Sequence, residues 1–215
     1  ILDCRDLGFI LNKEVISEEE YDPAQKKKYA YKSDEQAYLI NIMEEFELTY
    51  PLEKGKKYLI PNLLPVEAAE PLSVKDTDDA HIHFILQYDF LPNSIISRFI
   101  VRMKADIYNF NQLWRTGVVL TNKTTGASAL VKTDEESKRI FICVAGTATE
   151  KRAYFSVIHH TLWEITRTFK KLKPKQIMRV SGHPKIEVDY NRKKFKNTNY
   201  YDKLNSTFKI PTTDP

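Results

Sequence analysis

The chain has 215 residues, 42% of them hydrophobic and 29% charged, with six glycines, ten prolines and two cysteines. Such a length can bury a sizeable core in one or two domains, and such a composition excludes a disordered chain. The net charge of +4 divides unevenly: residues 1–72 carry 9 Lys/Arg against 15 Asp/Glu and residues 73–215 carry 24 against 14, which predicts two electrostatically unlike subdomains.

No uninterrupted apolar run approaches the roughly 20 residues that span a bilayer. The chain opens at Ile1 without a basic-then-apolar leader, so no signal peptide is expected, and a start without Met points to a piece of a longer protein. Cys4 and Cys143 are the only cysteines, and Cys143 lies inside an apolar strand. No disulfide framework is expected, and the setting that follows is reducing and cytoplasmic.

In chain order, Phe9-Ile10-Leu11 reads as a short strand, Asn12 as the cap of a helix reaching about Glu20, and residues 22–28 as an exposed loop with three lysines. Ser33 and Gln36 have capping-box spacing and open a helix with Leu39, Ile40, Met43 and Phe46 as its stripe. Residues 46–52, a turn at Lys54-Gly55-Lys56, and residues 57–60 follow as a β-hairpin. Glu44, Glu45 and Glu47 are expected to face solvent. Pro61, Pro65 and Pro71 then punctuate residues 61–72; proline interrupts both ladders and helices, so a linker is predicted there.

The second half reads as mixed α and β. Residues 81–88 form a strand, and Pro92 suits the first position of a helix. Ile96, Phe99, Ile100, Met103 and Ile107 recur at three- and four-residue steps, a stripe worth about 8–15 kcal/mol of gross burial. Arg98 and Arg102 fall together on another face, where two solvated arginines are expected. Strands near 113–120 and 129–132 flank a turn at residues 121–126. Residues 140–144 are apolar at both parities, so that strand should be covered on both faces. A long helix over about 150–172 carries Tyr154, Ile158, Leu162, Ile165, Phe169 and Leu172 and stops before Pro174. Strands near 177–180 and 185–190 precede a basic, aromatic tail. Hairpin-linked strands with helices laid on them argue an α+β fold with an antiparallel sheet.

Catalytic and ligand motifs are sparse. No G-x-x-x-x-G-K-[ST] is present to cradle phosphates, and Asn122-Lys123 lacks the Asp that a guanine reader has two positions on, since Thr125 stands there. His81 and His83 alternate on one strand face, but a third zinc ligand would have to come from His183 or an acid. His159 and His160 diverge on a helix. No catalytic, cofactor or metal constellation emerges. Residues 167–179 with Arg192-Lys193-Lys194-Phe195-Lys196 interleave basic and aromatic side chains, which makes a basic nucleic-acid-binding domain the alternative reading. The acidic first half is the wrong sign for DNA.

The stretches FLP followed by SRFIVRM, then LWRTGVVL, ALVKTDEESKRIFICVAG and GHP, preceded by MEEFELTYPLEKGKKYLIPNLLP, resemble the COR region ("C-terminal of Roc") of Roco proteins, large multidomain GTPases. The blocks keep family order from about Met43 to His183. The residues that carry the resemblance are Phe46, Tyr58, Leu59, Ile60, Pro61, Leu64, Pro65, Phe90, Leu91, Pro92, Arg98, Phe99, Arg102, Trp114, Arg115, Gly117 and His183. It implies the end of a winged-helix-like COR-A over residues 1–62, a linker over 63–72, and COR-B over 73–215. It further implies a homodimer formed through COR-B, and COR-A packed on the Roc GTPase domain of its own chain. GTP and Mg are expected only on that Roc domain, which should precede this stretch. The function expected is a non-catalytic dimerisation and GTPase-regulatory module; nucleic acid and membrane are not expected partners.

Overall fold

The computed structural model describes residues 2–3, 33–53, 57–75, 80–180 and 183–190. The readings made for residues 9–28, the 54–56 turn and the basic tail lie outside them.

Helix α1 (Ser33–Glu45) leads into strands β2 (Tyr50–Glu53) and β3 (Lys57–Leu59). β3 pairs antiparallel with β2 on one side and with β1 (Leu2–Asp3) on the other. This is the helix followed by a wing that the sequence predicts. Phe46 departs from the expected stripe: it is 65% exposed, because α1 ends just before it and the chain reverses at Glu47, whose φ of 59° is left-handed. Glu47 N–H donates to Glu44 O, and Leu48 N–H to Met43 O, the bonding of a Schellman helix end.

The predicted linker is fastened down along its length. Pro61 opens a single 3-10 turn, Pro61–Leu63, with Ile60 as its N-cap, and both Pro61 and Leu64 are buried. Arg115 N–H then donates to Pro65 O, and the Ala69 and Glu70 amides donate to Asn111 O. The Gln112 side-chain amide donates to Pro71 O, while its carbonyl accepts from Ser73 N–H and Oγ. The prolines exclude regular structure as expected, yet the segment is a strap rather than a free connector.

A seven-stranded, wholly antiparallel sheet follows, built from β4 (Ile82–Gln87), β5 (Leu113–Trp114), β6 (Gly117–Thr121), β7 (Ser128–Asp134), β8 (Arg139–Ala145), β9 (Lys175–Val180) and β10 (His183–Asp189), in the order β10-β9-β4-β8-β7-β6-β5. Helices α2 (Ser94–Arg102) and α3 (Ala148–Arg167) cover one face. Phe84, Ile140, Ile142, Val144, Val118 and Val131 meet Phe99, Ile100, Ile158 and Leu162 there, and Tyr50 and Leu59 of the wing join the same core. Strap residue Val74 fills the opposite face beside Trp114, Val119, Leu130 and Cys143. Strand β8 is therefore covered on both sides, as its double parity requires. The fold is α+β.

Three elements differ from expectation. Residues 113–120 form a hairpin, with Trp114 opposite Gly117. Helix α2 ends at Arg102, and Ile107 reaches the core only after a 3-10 turn; at its start, Pro92 precedes the N-cap Asn93. Helix α3 ends at Arg167, and the stripe continues to Phe169 and Leu172 through turns bonded three residues back. Its start is a capping box of Thr147 and Glu150.

Candidate functional site

Helix α2 buries Ile96, Phe99 and Ile100 and thereby turns Arg98 and Arg102 toward the end of α1. Four residues apart on one helix, like charges repel. Glu47 sits between them: Arg98 Nε donates to Oε2 at 2.7 Å and Arg102 Nε to Oε1 at 2.6 Å. Arg98 Nη1 also donates to Thr168 Oγ1 at 2.8 Å, and Thr168 Oγ1 donates to Ile165 O at 2.7 Å. One guanidinium thus ties the cap of α1 to the end of α3. These are not the solvated groups expected from sequence; the side chains are 18%, 30% and 24% exposed for Arg98, Arg102 and Glu47. Partial burial pushes the Glu47 carboxyl up, but hydrogen bonds from Arg102 and Arg98, with their charges, outweigh it and hold the group below its ordinary range.

Beside the clamp, Tyr50 is 4% exposed and its hydroxyl has no hydrogen-bond partner among the described residues. Lys104 Nζ lies 5.7 Å from the centre of its ring, within cation–π reach. Burial raises the Tyr50 phenol to about 12. Ser97 Oγ donates to Asn62 Oδ1 at 2.6 Å, so the strap begins on the same helix. Wing, strap and sheet subdomain meet along α2.

The remaining family-motif residues divide between core and surface. Leu59, Leu64, Leu91 and Phe99 are core, and Tyr58 is buried in the wing. Trp114 lies across Gly117, where a Cβ would come within 2.3 Å of the indole. Arg115 Nε donates to Leu64 O at 3.3 Å. Phe90 joins Phe46 on the surface at 67% exposure. His183 opens β10, well separated in the fold from this junction by the sheet order.

Asn122 proves to be a turn residue, its Oδ1 accepting from the Thr124 and Thr125 amides, an Asx-turn rather than a base reader. His81 and His83 do share a face, with ring centres 6.4 Å apart, and Cys143 Sγ lies 3.5 Å from His81 Nδ1. Among the described residues no three of His, Cys, Asp and Glu gather as metal ligands. His159 stacks on Trp163 and contacts Gln176 Oε1 at 3.1 Å, lining a cleft of about 440 Å³ with Phe155 and Tyr190. The basic 167–179 stretch is partly neutralised across the sheet edge: Lys175 pairs with Asp189 and Arg179 with Glu187.

Sequence reasoning missed Glu47, Asn62, Gln112 and Thr168. Only Glu47 had a signal, an acid just past a helix in the acidic half with an arginine pair available in the basic half.

An antiparallel sheet with helices on one face, joined by a strap to a helix and a small second sheet, is an α+β scaffold. The family model for the C-terminal of Roc, COR-B domain, matches residues 79–210. The chain belongs to that family: it carries the COR-B domain of a Roco protein. No curated protein matches the chain. Among the described residues no helix is long and apolar enough to cross a membrane.

Proposed function

We propose that this chain is the dimerisation and GTPase-regulatory module of its Roco protein: two COR-B units associate, and the wing segment relays their arrangement to the Roc domain of the same polypeptide. What carries the reading is the COR-B match over residues 79–210. The docking of wing and strap onto α2 supports it, because a relay needs its two parts mechanically joined. GTP and Mg belong to the Roc domain on this reading, and the chemistry of hydrolysis lies outside the chain.

Sedimentation of the 215-residue chain over a wide concentration range tests it. A monomer–dimer equilibrium is the expected outcome. A strict monomer up to the high micromolar range removes dimerisation as an activity of this chain.

A further inference from the structure

Glu47 stands at the αL position that closes α1, with φ at 59°. Glycine is the usual occupant there, because a Cβ crowds the carbonyl in left-handed backbone. The bonding around it is a complete Schellman motif, so nothing in the backbone itself calls for a long acidic side chain. A non-glycine residue in such a conformation persists only where its surroundings over-determine it. Here the carboxylate occupies both arginines of α2, one oxygen each, at 2.7 and 2.6 Å. Arg98 is in turn held on Thr168 at the end of α3.

We propose that Glu47 is a strained pin: its side chain fastens the wing to the sheet subdomain through Arg98 and Arg102, at the expense of the helix cap that carries it. Losing the pin loosens the wing, which Tyr50 and Leu59 still hold to the core, without unfolding the sheet. Two observations make the device specific. The arginines face each other's charge on one helix, so removing Glu47 leaves a repelling pair. The clamp is partly open to solvent, with side-chain exposures between 18% and 30%, so it can open locally. The proposal goes beyond dimerisation, since it concerns a joint within one chain.

The test turns on a sign. Glycine at this position relaxes the backbone, so if the carboxylate did nothing, Glu47→Gly would tighten the wing. With a pin, the same change loosens it. Amide hydrogen exchange on the 215-residue chain reads this directly. In Glu47→Gly, amides of Tyr50–Glu53 and Lys57–Leu59 should exchange at least about tenfold faster than wild type, a change of about 1.4 kcal/mol in opening free energy. Amides of Ile82–Gln87 and Arg139–Ala145 should keep their wild-type rates. The double variant Arg98→Gln/Arg102→Gln leaves the Glu47 backbone untouched and should loosen the same wing strands. Wing protection equal to or greater than wild type in either variant overturns the proposal, as does equal loosening of wing and sheet. Self-association measured on the same samples should be unchanged, so this outcome is separable from that of the dimerisation experiment.

Discussion

At Gly117 the constraint is steric. Its φ is not left-handed, but the Trp114 ring lies so close that a Cβ would sit 2.3 Å from Cζ2 and 2.7 Å from Cε2. Glycine is required by the tryptophan above it, not by the turn. Gly117→Ala should cost about 1–3 kcal/mol, the range for overpacking a filled site, read as a lower urea midpoint with an altered Trp emission. At Tyr50, Tyr88 and Tyr154 the constraint is electrostatic. Burial raises the first two phenols to about 12, Thr166 offsetting a little of this at Tyr88, and burial together with the Asp106 carboxylate pushes Tyr154 higher still. An acid whose folded pKa is raised contributes stability that is whole below its ordinary value of 10 and is lost as pH rises through the folded value. Between pH 10 and 12 each such tyrosine therefore removes up to about 1.4 kcal/mol per pH unit. Stability measured by urea unfolding should fall steeply across that window. Tyr50→Phe should flatten the fall by one proton's worth and, since it deletes a buried hydroxyl without a partner, raise stability at neutral pH by about 1 kcal/mol. A wild-type slope in the variant would place the Tyr50 hydroxyl in contact with water.

Among the elements, the strap is held by polar side chains as well as by the apolar Leu64, Ala68, Leu72 and Val74. Gln112 satisfies two strap groups and Pro71 O at once, and Glu70 accepts from Asn109 and Asn111. Gln112→Ala removes the bonds to Ser73 and Pro71, which are themselves exposed, at a cost of about 1 kcal/mol. Limited proteolysis should then cut within residues 66–75 while the sheet resists; an intact strap in that variant would mean that Val74 and the bonds to Asn109, Asn111 and Arg115 hold it without Gln112. This fastening explains what the sequence could and could not disclose. Helices α2 and α3 were legible because Phe99, Ile100, Ile158 and Leu162 repeat at the helical period, and β8 because Ile140 to Val144 are apolar at both parities. Gln112 and Ser73 stand 39 residues apart, and a single long-range polar contact leaves no period to read. The hairpin at Trp114 was hidden by the continuous apolar run after it, with Gly117 its one mark. The charge signal at Glu47 did not disclose its left-handed backbone, because such a helix end is ordinarily announced by glycine or asparagine.

For the molecule as a whole, the charge split sets terms for self-association. Residues 73–215 carry a net charge of +10, and residues 1–72 carry −6. Two basic halves repel unless the facing surface is apolar or mixed in sign, and a two-fold dimer presents one patch twice, so like charges on it would meet. Arg139 and Arg179 already share Glu187 within one chain, whereas Lys170, Lys171 and Lys173 beyond α3 are exposed and belong at the rim of any shared surface. The acidic part cannot be trimmed to simplify the measurement. Tyr50, Leu59 and Leu64 lie in the common core, and Ala68 and Leu72 pack on the outer face of the sheet, so cutting the chain near residue 72 would expose apolar surface and create association of its own. With the 215-residue chain, raising salt from about 0.05 M to 0.5 M shortens the screening length and should strengthen the dimer or leave it unchanged. Sedimentation across that series decides the point, and a dimer that dissociates as salt rises would instead place opposite charges, acidic part against basic part, at its centre.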